Sequence, residues 1–309
     1  MLASVSVLEN QPISTWFGLG GVAKRMARPG TIDELRSALA IDPRAVVLGD
    51  GANLLVADGG VEELVISLRQ GEFDTFSMGP ADARGNVIVS AGAGVHLFKL
   101  INATTDAGLS GLENLAGIPA LVGGAAIMNA GGKYGATGDY VFAVHAMDRA
   151  GKEIALKRTQ VEFTYRHSSL AESGLIVTRV ELRLKRQDVA AVKAKLREVT
   201  EYKKTTQPMN AASAGCCFKN PTLLEGIRDI GTPGTRVSAG MLIDRAGCKG
   251  KTVGGATVSQ QHGNFIVAGP GAKAADVLSL MKQVQEKVLA AFKVNIEPEI
   301  VIWGAKLKD

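Results

Sequence analysis

Between Leu115 and Gly132 the chain carries no charge, yet this stretch holds five glycines, Pro119 and Asn129. Its length and apolarity suit a membrane span; its glycines and proline make it a poor one. It reads instead as backbone laid open, main chain that turns tightly and lets another group approach closely. The whole chain shares the bias. Glycine is 37 of 309 residues, about 12% against a usual value of roughly 7%.

With 309 residues and 46% hydrophobic content, the chain can bury a large core, and its length suggests two or three domains. The start, MLASVSVLENQPIST, has neither a basic leader nor a long apolar run, so no secretory signal is expected. Together with cysteines that need no disulfide, this points to the cytoplasm. The net charge of +5 favours anionic small molecules slightly. No run of Lys and Arg interleaved with aromatics appears, so neither nucleic acid nor membrane insertion is expected, and no obligate protein partner.

Periodicity gives a mixed α+β pattern. Thr31-Ile-Asp-Glu34 is a capping box opening a helix through Ala40, and Ala45–Leu48 is a strand running into Gly49-Asp-Gly-Ala-Asn53. Strands are expected at Leu64–Leu68 and Val87–Ala91, and a helix from about Val95 to Ala107 closed by Gly108. Alternation dominates from Val141 to Leu184, followed by a charged helix over about 188–204. Beyond Pro208 come a short helix at Ala239–Ala246, strands at Thr252–Val258 and Asn264–Val267, a long helix at Ala274–Phe292 and a final strand at Ile300–Trp303.

Gly92-Ala-Gly94 opens a helix after a strand, but Leu97 stands where a dinucleotide fingerprint needs its third glycine, and no acidic residue follows about 20 positions on. Two other segments are richer. Gly49-Asp-Gly-Ala-Asn-Leu-Leu and the run from Gly117 through Asn129 each combine glycines with an amide, and their N–H groups can cradle a pyrophosphate. Asn53 and Asn129 add side-chain hydrogen bonds.

Ser213-Ala-Gly-Cys-Cys-Phe-Lys-Asn-Pro221 puts two of the three cysteines on one turn. Neighbouring cysteines do not easily reach relaxed disulfide geometry, so Cys216 and Cys217 read as thiols. A thiol with an ordinary pKa of about 8.5 is mostly protonated at neutral pH, and can serve as a proton donor or as a nucleophile. For Cys217 and Cys248 the reading is a small buried apolar residue.

Several motifs, in order along nearly the whole chain, carry a specific resemblance. They are Thr15-Trp-Phe-Gly-Leu-Gly-Gly, the Gly49–Leu55 turn, Gly111-Leu-Glu-Asn-Leu-Ala-Gly-Ile-Pro through Asn129-Ala-Gly, and Tyr165-Arg166. Ser213–Pro221, Ser238-Ala-Gly-Met-Leu-Ile-Asp-Arg-Ala-Gly-Cys-Lys-Gly, Ser259-Gln-Gln-His-Gly-Asn-Phe-Ile and Ile296-Glu-Pro-Glu-Ile complete the set. The chain resembles the MurB family, the UDP-N-acetylenolpyruvoylglucosamine reductases, in its shorter architectural type, within the FAD-binding fold of p-cresol methylhydroxylase and vanillyl-alcohol oxidase. That implies an α+β chain with a two-lobed FAD-binding region at 1–187 (lobes about 1–70 and 71–187), a linker helix at 188–206, and a substrate domain at 207–309 whose last strand returns toward the active site. The implied reaction carries electrons from NADPH through FAD to the enolpyruvyl ether of a UDP-sugar.

The resemblance also assigns residues. Arg166 takes the place of the arginine that polarises the substrate carboxylate, and Tyr165 beside it falls to the substrate. Cys216 stands where many members have a proton-donating serine. Glu299 matches the catalytic glutamate, with Glu297 the rival by spacing alone. Lys219, Asn220, Lys249, Ser259 and His262 are implied substrate contacts, and Lys251 lies beside Lys249. The implied FAD contacts are Gly49, Gly51, Ala52, Asn53, Leu54, Gly117, Ile118, Pro119, Gly123, Gly124 and Asn129. Ala52 and Ala120 replace residues that are commonly serine and glycine. The histidines at 96, 145, 167 and 262 form no metal-ligand spacing, so no metal is expected. The alternatives are an FAD-dependent oxidase of the same fold, a Cys216–His262 hydrolase pair, and a nucleotide-binding module without catalysis.

Overall fold

The structure, a computed structural model, describes residues 4–305, so the outermost ends of the two expected domains lie outside the described residues. The described chain forms two compact units that interlace in sequence. One takes the chain up to Gln11, Ala23–Asp50 and Glu62–Lys203; the other takes Pro12–Val22, Gly51–Val61 and the chain from Lys204 on. The division read from the sequence is continuous, with the helix after 187 as a linker. The structure departs from it because strand Leu54–Val56 pairs in parallel with strand Val301–Trp303, drawing an N-terminal segment into the C-terminal unit.

In the first unit, helix α1 (Ile32–Ile41) begins as its capping box requires: Thr31 Oγ1 accepts from the Glu34 N–H at 3.2 Å. The return bond shifts by one residue, with the Glu34 carboxylate accepting from the N–H of Gly30 at 2.6 Å. α1 buries Leu35, Ala38 and Leu39, which lie on one face at helical spacing. A four-stranded sheet has the order Val7–Pro12, Val22–Ala27, Val61–Ser67, Val46–Leu48, the last two parallel. The first two strands were not legible in the sequence, where Asn10 and Lys24-Arg25 blur the alternation.

A second sheet is antiparallel, in the order Glu153–Lys157, Val141–Met147, Ile176–Arg186, Asn86–Gly92, Phe76–Ala81. Helix α2 (Leu97–Asp106) buries Leu97, Leu100 and Ile101, and Gly108 at φ +67° ends its turn. Helix α3 (Val122–Ile127) lies inside the glycine-rich stretch. Sequence propensity gives no sign of α3; tertiary bonds hold it, Val122 N–H to Val95 O and Gly123 N–H to Ala93 O, both 2.9 Å. Helix α4 (Val189–Thr206) buries Val192 and Val199, Leu196 packs against the core of the first unit, and Lys193 reaches Asp106 at 2.8 Å; the helix belongs to the first unit up to Lys203. The core joins both sheets through residues such as Leu64, Ile66, Val89, Leu100, Val144 and Val180, each worth about 1.5–3 kcal/mol on burial.

In the second unit, helix α5 (Ala239–Arg245) starts at Ser238, whose hydroxyl accepts from Met241 N–H at 3.2 Å. A small sheet runs Thr252–Val253, Ala256–Val258, Ile266–Ala268. Helix α6 (Ala274–Phe292) has its first N–H groups held by the Asp58 carboxylate, at 2.9 Å from Ala274 and 3.1 Å from Ala275. It ends where Lys293 turns left-handed at φ +58°. Phe17, Leu55, Phe218, Leu242, Leu280 and Met281 fill the core. Among the described residues, no helix is long and apolar enough to cross a membrane.

Candidate active site

The expected site residues divide between the two units. In the first, Gly49 follows strand Val46–Leu48, and the second glycine segment is held against Ala93–Leu97 by the two α3 bonds and by Leu97 N–H to Ala120 O at 2.9 Å. Gly123 is needed for packing, since a Cβ there would lie 2.8 Å from the Ala93 Cβ. Gly49 and Gly124 are different. Neither has a left-handed φ, and a Cβ on either would meet nothing within 4 Å. Neither packing nor handedness calls for glycine at these two positions, which is what a backbone cradle approached by a ligand requires. The first unit therefore fits a bound dinucleotide at its expected segments.

Asn129 is buried, at φ +43°. Its Nδ2 donates to Thr164 O at 2.7 Å and its Oδ1 accepts from Gly138 N–H at 2.8 Å. With Ser168 Oγ donating to Ile127 O at 2.7 Å, it anchors the hairpin Phe163–Ser168 whose tip is Tyr165-Arg166. Its amide is engaged in positioning that tip. Arg166 sits there at φ +55°, its guanidinium 5.3 Å from the Tyr165 ring centre. A left-handed non-glycine residue costs about 1–3 kcal/mol, and such strain gathers at functional sites.

In the second unit, the cysteine and glutamate segments run antiparallel. Glu299 N–H donates to Cys217 O and Lys219 N–H to Glu297 O, both at 2.8 Å, with Phe218 opposite Pro298. On the other side Cys216 faces Phe265, and Cys217 N–H donates to Asn264 O at 2.8 Å. Asn264 clamps Phe218 from both ends, Oδ1 accepting its N–H at 3.0 Å and Nδ2 donating to its carbonyl at 2.7 Å. Asn53 Nδ2 donates to Glu299 O at 3.1 Å, and Val301 N–H returns to Asn53 O at 2.9 Å. Gly51, at φ +69°, lies so close to Ser14 O that a Cβ would be 2.2 Å away. Ala52 and Leu54 beside it are buried.

All three cysteines are thiols. Burial pushes Cys217 up to about 12, so it stays protonated in the core. Cys248 is also buried and raised by burial. Cys216 is half-buried. Glu299 is half-buried too, whereas the Glu297 side chain is 71% exposed and lies 3.5 Å from Lys219 Nζ.

The remaining expected contacts build the walls of this unit. Asn220 Oδ1 accepts from Ala239 N–H at 2.9 Å, fixing the start of α5. Ser259 Oγ accepts from the N–H of Gln261 at 3.2 Å. His262 Nδ1 accepts from Asn264 N–H at 3.2 Å, which puts the proton of a neutral ring on Nε2. Burial, then the Lys249 charge, lowers its pKa. Lys249 itself pairs with Asp244 at 2.7 Å. Asn264 was not singled out from the sequence, although an asparagine before an Ile-Val-Ala strand runs against β-propensity and was the available signal.

Curated relatives match at full length. A UDP-N-acetylenolpyruvoylglucosamine reductase from Moorella thermoacetica is 39% identical over 98% of this chain and 95% of its own, and one from Desulfosudis oleivorans is 38% identical over 96% and 94%. The chain belongs to the UDP-N-acetylenolpyruvoylglucosamine reductase family. The family's C-terminal domain model matches residues 207–303, and an FAD binding domain model matches 23–157. The crystal structure of the MurB reductase from Thermus caldophilus superimposes with a TM-score of 0.78 at 40% identity, covering 97% of this chain and 99% of that one. The FAD binding match spans Gly49 and the whole glycine-rich stretch, and the C-terminal match spans Cys216 and Glu299.

Proposed function

We infer that this chain is an NADPH-dependent flavoenzyme that reduces the enolpyruvyl ether of UDP-N-acetylglucosamine to UDP-N-acetylmuramate, a step in making peptidoglycan precursors. The observation that carries the reading is the hydrogen-bonded row joining Asn53, Cys217 and Glu299, within a chain related over its whole length to reductases of that name. When bound, FAD supplies the two-electron relay between NADPH and the substrate, with Gly49, Gly51, Ala52, Asn53, Leu54 and the segment Gly117–Asn129 as its holding residues.

The chain's own groups meet the demands of the reduction at the substrate. Adding a hydride to the terminal methylene leaves an electron pair on the carbon next to the carboxylate, and that charge spreads into the carboxylate oxygens. Arg166 binds this carboxylate through two parallel N–H bonds and stabilises the added charge. Glu299 orients the same end of the substrate. The Cys216 S–H delivers the proton to the carbon, a role a thiol fills better than an alcohol because it is the stronger acid. Tyr165, Lys219, Asn220, Lys249, Ser259 and His262 belong to the substrate's surroundings.

The test is spectroscopic. The purified protein is expected to be yellow, to bleach with NADPH without oxygen, and to regain colour when the enolpyruvyl substrate is added. Colour restored only by air supports an oxidase and sinks the reductase reading.

A further inference from the structure

Asp50, next to the open-faced Gly49, has a side chain only 10% exposed. Two side chains lie against it: Arg69 Nη2 at 3.3 Å and His96 Nδ1 at 3.7 Å. Those two also touch each other, Arg69 Nη2 to His96 Nε2 at 2.8 Å. A guanidinium has no acceptor, so Arg69 donates and Nε2 accepts. The imidazole proton then sits on Nδ1, facing the Asp50 carboxylate. All three groups are locked in one arrangement.

The cluster also joins the two glycine segments of the first unit. His96 precedes α2 but gives it no side-chain cap; its main chain bridges Leu121 instead, and its neighbours Val95 and Leu97 bond to Val122 and Ala120. Exposure within the cluster is uneven. The carboxylate is nearly covered, while Arg69 and His96 keep 37% and 44% of their side-chain surface. Both of the contacts described for Arg69 run through Nη2, so its remaining N–H groups are not committed to this cluster. An ordinary surface ion pair stabilises little and has no need of a buried carboxylate on a glycine turn.

We propose that Arg69, held by Asp50 and His96, is a side-chain contact for the pyrophosphate of bound FAD, adding a charged donor to a cradle otherwise built from backbone N–H groups. The flat guanidinium matches two phosphate oxygens at once. Asp50 and His96 are positioning residues: they hold the Arg69 guanidinium at the edge of Gly49. The proposal rests on the reading that the glycine segments hold the flavin dinucleotide.

The experiment strips flavin from the full-length protein and titrates FAD back, following quenching of flavin fluorescence at several sodium chloride concentrations. Arg69→Gln is expected to raise the FAD dissociation constant about 10- to 100-fold at low salt. The gap from wild type should narrow as salt rises, because a screened charge contributes less. Arg69→Lys should recover part of the loss, and His96→Gln should show a smaller one. Equal affinities for wild type and Arg69→Gln overturn the proposal. So does a loss that is the same at every salt concentration and shared by Arg69→Lys, which marks damage to the fold. If the wild-type protein itself takes up no FAD, the cradle reading falls and this proposal with it.

Discussion

The main-chain N–H of Glu299 donates to the carbonyl of Cys217 at 2.8 Å, which fixes the glutamate segment and the cysteine segment in one register. The pairing sorts neighbours into different roles. Cys217 turns into the core and Cys216 stays half-buried; Glu299 is half-buried and Glu297 stands out in solvent against Lys219. Adjacent residues in an extended segment alternate sides, so a register shift of one would exchange Cys216 and Cys217.

The cysteine prediction follows from that sorting. Cys216→Ala should keep its flavin and still be reduced by NADPH, while turnover falls about 10²- to 10⁴-fold; Cys216→Ser should retain most of it. Iodoacetamide on the folded protein at neutral pH should label Cys216 and spare Cys217 and Cys248, because burial holds the latter two as thiols and alkylation needs a thiolate. Peptide masses report the labelling, and stopped-flow absorbance separates the two half-reactions. Normal turnover in Cys216→Ala would assign the proton to another donor.

The two glutamates should separate cleanly. Glu299→Gln is expected to cut turnover by at least about 100-fold, through loss of a group at the reacting end of the substrate. Glu297→Gln should leave turnover within about twofold and stability within about 0.5 kcal/mol, as for an exposed residue in a solvated ion pair. Steady-state rates on both variants decide it. A collapse in Glu297→Gln with an active Glu299→Gln reverses the assignment.

Local signals were legible where local physics decides. Thr31 caps α1 through its own hydroxyl, and α6 spans Ala274–Phe292 because its apolar spacing suffices to bury one face. What was not legible depends on distant partners. α3 contains two glycines and forms because the Ala93 and Val95 carbonyls receive its first N–H groups. Asn53 reads as a ligand contact in sequence, yet its amide holds Glu299 at the far end of the chain. The interlaced units have the same origin, since the pairing of Leu54 with Val301 leaves no mark near either residue.

Asn129 offers a test of positioning at the Arg166 turn. Asn129→Ala removes both partners of its amide, leaving Thr164 O and Gly138 N–H without them, and should cost about 1–3 kcal/mol of stability. The hairpin tip then loosens, and KM for the enolpyruvyl substrate should rise about tenfold while FAD stays bound. Arg166→Lys should impair the reduction without the stability loss, because the lysine keeps charge but not the two-pronged geometry. Denaturant midpoints and steady-state kinetics on the two variants make the comparison. An Asn129→Ala protein as unstable as expected but with unchanged kinetics would show that the hairpin holds Arg166 without it.

Acid sensitivity should trace in part to Asp42, whose side chain is 5% exposed. Burial alone would raise its pKa, but the N–H groups of Arg44 and Leu64 and the Arg25 guanidinium at 2.6 Å outweigh burial and hold it below its ordinary value. In the unfolded chain the group titrates near the ordinary carboxylate value of about 3.9. A depressed folded pKa means the unfolded state binds the proton more readily, so the stabilisation is complete above that value and is lost as pH falls through the folded one. Asp42→Asn should therefore be less stable than wild type by about 1–3 kcal/mol at pH 7, and the gap should hold down to about pH 5 and close below about pH 4. Urea unfolding of both proteins across that range measures the gap. A difference that stays constant to pH 3 would mean that Asp42 acts through packing and neutral hydrogen bonds, with no contribution from its charge.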